Sequence, residues 1–240
     1  MIVLVTDFGL EGPYIGQMQR VFLEHVANTP VVNLFADAPA CNPKATAYLL
    51  GAYSQGFPTG TVFLCVVDPA VGSGQHAPVA VNCDGCWYVG PDNGLFEIVR
   101  RRARSSQTFR IRWRPPRLSA SFHGRDLYAP TAARLAKGEL SGQEHVEPQQ
   151  FPDWPDDLPE VIYIDHYGNA ITGLRASTMT AGADVIVASS RLRLARTFAD
   201  VGHGEAFWYE NSNGLVEIAV NQGRADTTLG LRIGTAVTFE

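Results

Sequence analysis

The sequence lacks the features that usually mark nucleic-acid-binding proteins and membrane proteins. Its formal net charge is −5, and its densest basic run, residues 100–102, is explained by the preference of positive charge for the last turn of a helix. No apolar run is long enough to span a membrane, and we expect no signal peptide before Ile2, where a strand pattern begins. We therefore expect a globular, cytoplasmic protein with neither a nucleic-acid nor a membrane partner.

Cysteine is also scarce, with four residues in a chain of 240. Cys83 and Cys86 have the C-x-x-C spacing of a zinc-binding pair, but Cys41 and Cys65 are too far apart in the sequence to supply the second pair. The Asp-Gly dipeptide between Cys83 and Cys86 is a hairpin turn signal. We therefore interpret the four cysteines as reduced and structural, and we predict no metal site.

The clearest candidate for a functional segment is residues 63–75. An apolar run over residues 62–67 predicts a buried strand, which Asp68 and Pro69 end, and a turn of small residues follows. A carboxylate at the C-terminal end of a buried strand is typical of functional sites in α/β sheets. Asp-Pro is also a common turn opener, so Asp68 becomes a candidate site residue only through the other segments expected around it.

Alternating strand and helix patterns predict an α/β domain, a sandwich of three layers, over residues 1–148. A proline-rich segment, residues 149–159, predicts a linker. Beyond it, short strands separated by glycine turns predict a smaller all-β barrel domain over residues 160–240. Strands are predicted at residues 2–5, 31–35, 62–67, 79–81, 87–89, 160–165, 185–188, 192–195, 206–209, 215–220 and 235–239, and helices at 14–22, 42–53, 95–102 and 132–135.

Polar side chains gather in other segments as well. Asp7 follows the first strand, where it is either a helix-entry residue or a carboxylate that accepts hydrogen bonds from a ribose. His123 is either an acid–base group or a hydrogen-bonded core histidine, and the nearby Arg125 and Asp126 are either functional or a structural ion pair. Two loops of the C-terminal domain are more polar than hairpins need.

Six segments, taken in order, resemble the SAM hydroxide adenosyltransferases, which are adenosine-forming S-adenosylmethionine (SAM) hydrolases related to the SAM-dependent fluorinases and chlorinases. They are T-D-F-G at 6–9, V-D-P-A-V-G at 67–72, P-D-N-G-L at 91–95, F-H-G-R-D at 122–126, D-H-Y-G-N at 165–169 and N-S-N-G at 211–214. The resemblance covers nearly the whole chain. It implies an α/β domain followed by a β-barrel, and a homotrimer with SAM bound at subunit interfaces. It also implies no cofactor besides the substrate.

The resemblance further implies a reaction and a set of residue roles. Water or hydroxide attacks C5′ of the ribose, and methionine departs. Asp68 and His123 match two catalytic residues, and Gln75 occupies the third catalytic position. The implied substrate-binding residues are Asp7 for the ribose, Phe8 and Asn93 in the first and third motifs, Asp165 for the methionine amino group, Tyr167 and Asn169 around the adenine, and Asn211 and Ser212 in the loop for the methionine carboxylate.

The chain departs from the family pattern at two positions. Gln75 stands where an arginine is expected, and Gly12 stands where the first motif usually has an aspartate. Gln75 can donate a hydrogen bond but carries no charge. We therefore expect a slow hydrolase, and a protein that binds SAM or adenosine without turnover remains an alternative.

Two other reactions are less favoured. Fluorinases have a serine at the position of Gly124 and a tyrosine at that of Asp68, and a carboxylate beside the nucleophile would repel a halide. Metal-assisted hydrolysis by Asp68, His123, Asp126 and His166 would lack tight ligand spacing. We therefore expect water to be the nucleophile.

Overall fold

The computed structural model describes residues 1–139, 143–180 and 182–240. The chain divides into two compact units, residues 1–151 and 152–240. Across the described residues, no helix combines the length and the apolar character that crossing a membrane requires. The mixed α/β character of the first unit and the sheet-rich character of the second confirm the predicted two-domain architecture.

The first unit is built on a seven-stranded sheet with the strand order β2-β1-β3-β5-β4-β6-β7. The strands are β1 (Ile2–Thr6), β2 (Val31–Phe35), β3 (Val62–Val66), β4 (Pro78–Cys83), β5 (Cys86–Pro91), β6 (Ser106–Ile111) and β7 (Gln143–His145). β1 is parallel to β2 and β3, and β3 is parallel to β5, whereas β4, β6 and β7 add antiparallel pairs. Because Thr6 pairs with Val66, the carboxyl ends of β1 and β3 meet at one edge of the sheet.

Helices cover the central strands of this sheet. They are α1 (Tyr14–Val26), α2 (Pro43–Tyr53), α3 (Glu97–Arg102) and α4 (Ala129–Ala136), and a π-helical turn, Gly124–Tyr128, leads into α4. Alternate residues of β1 and β3, including Ile2 and Leu64, share one core with α1 and α4. All five residues of each strand are buried, so both faces of the sheet are covered, as expected for parallel strands.

The second unit contains two antiparallel sheets. Their strand orders are β11-β10-β14 and β12-β13-β9-β8, and a short helix, α5 (Ala225–Leu229), follows β13. The strands are β8 (Leu158–Ile164), β9 (Ala170–Arg175), β10 (Val185–Val187), β11 (Ser190–Leu192), β12 (Ala206–Glu210), β13 (Leu215–Val220) and β14 (Val237–Phe239). Two isolated β-bridges link the two sheets. Glu160 of β8 pairs with Ala236, directly before β14, and Leu194, just after β11, pairs with Trp208 of β12.

The sequence patterns missed several elements for identifiable physical reasons. Four of the six residues of β6 are polar and three are exposed, so the strand has little apolar signal. β9 contains Gly173, whose missing side chain admits the Leu158 backbone: a Cβ there would lie 2.8 Å from the Leu158 carbonyl oxygen. β8 begins at Leu158, inside the segment predicted as a linker, and β11 ends at Leu192, where a strand was predicted to begin.

Candidate active site

Two carboxylates follow the neighbouring strands β1 and β3 at the same edge of the sheet. Asp7 Oδ2 accepts a hydrogen bond from the backbone N–H of Cys41 at 2.9 Å, and Asp68 Oδ1 accepts one from Ala70 at 3.2 Å. Burial raises the pKa of Asp7, the Cys41 hydrogen bond opposes this effect, and the negative charge of Asp68 raises the pKa further. The two carboxylates therefore interact electrostatically.

A buried tyrosine also lies within electrostatic range of Asp68. Tyr128 ends the π-helical turn and is 1% exposed. Burial raises the pKa of its hydroxyl, and the charge of Asp68 raises it further. Sequence analysis missed Tyr128, whose only signal was its position five residues after His123.

The turn after Asp68 packs against the segment that precedes His123. Within the turn, the backbone N–H of Val71 donates to the carbonyl of Asp68, and that of Ser73 donates to the carbonyl of Ala70. Gly72 has a φ of +80°, and a Cβ at this position would lie only 2.3 Å from the carbonyl oxygen of Ala120. Glycine is therefore needed both for the backbone conformation and for the close approach of the two segments.

Asn93 holds the end of the strand that carries Asp68. Its buried side chain donates from Nδ2 to the carbonyl of Val67 at 2.9 Å, and its Oδ1 accepts from the N–H of Leu95 at 3.3 Å. The Asn93 amide is thus engaged within the protein at both ends. The Asn93 side chain thereby links the carbonyl before Asp68 to its own loop. That it also contacts substrate stays a prediction.

An aromatic cluster joins the first motif to the segment of His123. The rings of Phe8, Tyr14 and Phe122 lie 5.4 to 5.7 Å apart, centroid to centroid. Gly124 packs against the same cluster, since a Cβ there would lie 3.1 Å from Phe8 Cζ. His123, which is half-buried between Phe122 and Gly124, is thereby held next to the loop that carries Asp7.

Arg125 and Asp126 form the structural ion pair that was one of the two predicted alternatives. Arg125 donates from Nε to Asp126 Oδ1 at 2.6 Å and from Nη2 to Oδ2 at 3.0 Å. Asp126 also accepts from the N–H of Ser119, and Arg125 donates to Gln17 and lies over the Phe122 ring. The Arg125 hydrogen bonds lower the pKa of Asp126. His123 is left as the acid–base candidate of this segment.

Gln75 and His76 lie at the end of the turn that follows Asp68. Gln75 is exposed, and its backbone N–H donates to the Ser73 hydroxyl at 3.1 Å. His76 lies within electrostatic range of Asp92: burial raises the pKa of Asp92, and the charge of His76 is among the effects that lower it.

The remaining predicted residues lie in two loops of the second unit. Asn169 donates to Asp165 twice, from its backbone N–H at 2.9 Å and from Nδ2 at 3.2 Å. Tyr167 is 73% exposed between them. In the other loop, Asn211 is buried, and the exposed Ser212 donates to the side chain of Asn213 at 3.1 Å.

Sequence analysis missed Glu217, a carboxylate of β13 that is 5% exposed and accepts a hydrogen bond from Asn211. Its signal in the sequence was a single acidic residue inside an apolar strand, L-V-E-I-A-V. Within residues 1–139, 143–180 and 182–240, no three His, Cys, Asp or Glu side chains are grouped so that they could hold a metal ion. The absence of a cofactor stays a prediction.

Comparison with known proteins gives concordant matches along the chain. Family models described as the N- and C-terminal domains of SAM hydroxide adenosyltransferase match residues 2–145 and 159–238. A Thermus thermophilus relative named (R)-S-adenosyl-L-methionine hydrolase is 38% identical over 258 residues, 98% of each chain. A more distant relative, a fluorinase of Actinopolyspora mzabensis, is 23% identical over 99% of this chain and 96% of its own. The crystal structure of an uncharacterized conserved protein from Thermotoga maritima matches with a TM-score of 0.89 at 26% identity, covering 100% of this chain and 99% of that chain.

The coupling of the two carboxylates predicts the effect of removing one charge. We expect Asp68→Asn to lower the pKa of Asp7, because the neutral amide no longer opposes ionisation of its neighbour. Carbon-13 NMR titration of the Asp7 carboxyl carbon measures this pKa. Glu24→Gln is the matched control, since Glu24 pairs with Arg20 on α1 and does not contribute to the pKa of Asp7. An unchanged Asp7 pKa in Asp68→Asn would contradict the coupling.

Proposed function

The chain belongs to the SAM hydroxide adenosyltransferase family, and we propose from this membership that it hydrolyses S-adenosyl-L-methionine to adenosine and L-methionine. The observation that carries the proposal is the full-length similarity to a named (R)-S-adenosyl-L-methionine hydrolase. The geometry supports it as well. Phe8 of the predicted motif at 6–9 packs on Phe122 of the motif at 122–126, and Gly72 of the motif at 67–72 packs on Ala120, just before it. Asp7 and Asp68 interact electrostatically.

The chemistry suits a site that positions its reactants. Sulfonium sulfur leaves as a neutral thioether, so the leaving group needs no general acid and no Lewis acid. The main task is to hold water, C5′ and sulfur in line. Asp68 or His123 takes a proton from the attacking water as general base, and the C5′–S bond breaks as the O–C5′ bond forms.

In this proposal each predicted residue has a role. Asp7 accepts hydrogen bonds from the ribose, Phe8 packs beside the reacting centre, and Asn93 positions the strand end before Asp68. Catalysis is assigned to Asp68 and His123, with Gln75 as a hydrogen-bond donor toward the water. The second unit supplies Asp165 for the methionine amino group, Tyr167 and Asn169 for the adenine, and Asn211 and Ser212 for the methionine carboxylate.

The alternative that a specific observation favours is a protein that binds SAM or adenosine without turnover. It rests on Gln75, which leaves this position without a cation. Halogenation is less favoured, although a fluorinase is a distant relative. The carboxylates of Asp7 and Asp68 make this edge of the sheet negative, which repels a halide and suits a sulfonium.

We also propose a homotrimer whose sites are completed at subunit interfaces. Large exposed side chains support this: Leu10, three residues after Asp7, is 78% exposed, and the proposed site residue Tyr167 is 73% exposed. Further proposals are a three-layer sandwich for the first unit and a closed barrel for the second, the latter supported by the bridges at Glu160 and Leu194. Four free cysteines support a reducing, cytoplasmic location.

The reaction itself is tested by the origin of the product oxygen. When purified protein is incubated with SAM in oxygen-18 water, we expect adenosine labelled at the 5′ oxygen, together with methionine, because water is the nucleophile. Chromatography with mass spectrometry measures both products. We expect the same rate after treatment with EDTA. Binding of SAM without products would favour the binding protein, and 5′-chloroadenosine formed in chloride buffer would favour a halogenase.

The missing cation predicts a gain of function. We expect Gln75→Arg to raise kcat with little change in SAM affinity, because a charged hydrogen bond to the water or to Asp68 is worth ~1.5–3 kcal/mol, or roughly ten- to a hundred-fold in rate. Gln75 is exposed, so an arginine can be accommodated. Gln75→Ala is the control without charge and should not exceed wild type. A kcat for Gln75→Arg at or below the wild-type value would mean that no cation is needed there.

The trimer predicts activity that depends on assembly. We expect sedimentation equilibrium to show trimers, and specific activity to fall on dilution below the dissociation range, because a separated subunit lacks part of each site. Activity measured over the same concentration series provides the comparison. A monomer with full activity per subunit would contradict the proposed shared site.

A further inference from the structure

Glu217 is a carboxylate buried in a strand that is otherwise apolar. Its neighbours in β13, Val216 and Ile218, are fully buried, and its own surface is 5% exposed. Burying a carboxylate is costly unless hydrogen bonds satisfy it. Both oxygens have donors: the Tyr209 hydroxyl donates to Oε1, and Asn211 Nδ2 donates to Oε2 at 3.0 Å.

The Asn211 amide is fixed from its other end as well. Its Oδ1 accepts from the backbone N–H of Asn213 at 2.9 Å and of Leu215 at 3.0 Å. Its Nδ2 is therefore committed to donation and needs an acceptor, which Glu217 supplies. Ser212 lies in the turn between these anchored residues, so the carboxylate of Glu217 stabilises the conformation in which Ser212 is presented.

The second polar loop reaches the same carboxylate through Asn169. Asn169 Nδ2 donates to Asp165 Oδ2 at 3.2 Å, and Glu217 pairs across the sheet with Ile171, two residues beyond Asn169. Burial raises the pKa of Glu217, its hydrogen bonds with Tyr209, Asn211 and Asn169 lower it, and the charge of Asp165 raises it. Glu217 is thus the common partner of the loops at 165–169 and 211–214.

We propose that Glu217 is a positioning residue for the substrate, which fixes the relative geometry of these two loops without touching SAM. This inference rests on the proposed function, in which Asp165, Asn169 and Ser212 contact the methionine and adenine parts. The general base of that function, Asp68 or His123, belongs to the other unit of the chain. Loss of Glu217 should therefore weaken SAM binding and leave the chemical step nearly unchanged.

If Glu217 only stabilised the fold, an apolar side chain would serve better at this position. An apolar residue of similar size in β13 would avoid the desolvation cost of the carboxylate. A fully satisfied polar network instead selects one arrangement of the groups that it joins. Here those groups are side chains of the two loops that carry the proposed substrate contacts.

The experiment compares two variants of Glu217 in the full-length protein. Glu217→Leu removes both acceptors, and we expect the Kd and KM for SAM to rise roughly 10-fold or more, with kcat within about 3-fold of wild type. Glu217→Gln should restore binding to within about 3-fold, because its oxygen can accept from Asn211 while its amide donates to the Tyr209 hydroxyl, which can also accept. Calorimetric titration with SAM and steady-state kinetics give these values.

Thr172→Val is the matched control for general loss of stability. Thr172 is fully buried in β9, next to β13, and its hydroxyl donates to the Val216 backbone carbonyl at 2.8 Å, a bond that involves no side chain of either loop. We expect this variant to lower the melting temperature without changing the Kd for SAM. If Thr172→Val weakens binding as much as Glu217→Leu, or if Glu217→Gln fails to restore it, the role is structural and the proposal is wrong.

A second measurement keeps this inference separate from the proposed function. In wild type, the side-chain amide protons of Asn211 should be protected from exchange with solvent, and Glu217→Leu should abolish this protection while Thr172→Val preserves it. NMR detects these protons without substrate. Wild type that neither binds nor hydrolyses SAM would refute the proposed function. The positioning role would be refuted if Glu217→Leu bound SAM as tightly as wild type does. It would also be refuted if the Asn211 amide protons stayed protected in Glu217→Leu.

Discussion

The parallel pairing of β1 with β3 is the constraint on which the candidate site depends. Residue-by-residue register from Ile2 to Thr6 brings the two strand ends to one edge, so that Asp7 and Asp68 follow there together. The other parts secure that edge. Asn93 holds the carbonyl before Asp68, and the glycine turn after it packs against Ala120. A shift of register by one residue would turn the buried side chains to the opposite face of the sheet. It would also move the two carboxylates away from the contacts that Asn93 and Ala120 provide.

Placing two carboxylates at one edge has an electrostatic consequence for the chemistry. Each receives a backbone hydrogen bond, but partial burial and the repulsion from Asp68 raise the pKa of Asp7. A cation near them relieves this repulsion. In the proposed reaction the sulfonium of SAM supplies that cation, and its charge disappears when the thioether leaves. The substrate thus compensates in part for the charge that Gln75 lacks.

The sequence predicted most of the framework, because buried parallel strands and amphipathic helices leave strong patterns. It also located the polar segments, since their motifs are local. It could not assign partners that only tertiary packing creates. Asn93 is a predicted substrate-binding residue, and its motif does not reveal that its side chain hydrogen-bonds to Val67 and Leu95. Glu217 stood alone in an apolar strand, and its hydrogen bonds with Asn211 and Tyr209 arise only from tertiary packing. Gly173 weakens the strand pattern of β9, but its missing side chain allows the close approach of the Leu158 backbone.

Packing around Gly124 connects the choice of nucleophile to the aromatic cluster. A serine at this position, as in the fluorinases that the chain resembles, would add a hydroxyl where this site has none. Its Cβ would also lie 3.1 Å from Phe8, closer than ordinary van der Waals contact, so the ring would have to move by a few tenths of an ångström. Phe8 packs on Tyr14 and Phe122 and directly follows Asp7. Exchanging water for a halide on this scaffold therefore requires repacking of the loop that carries Asp7, in addition to removal of the Asp68 charge. Single substitutions at Gly124 or Asp68 each alter only one of these two requirements.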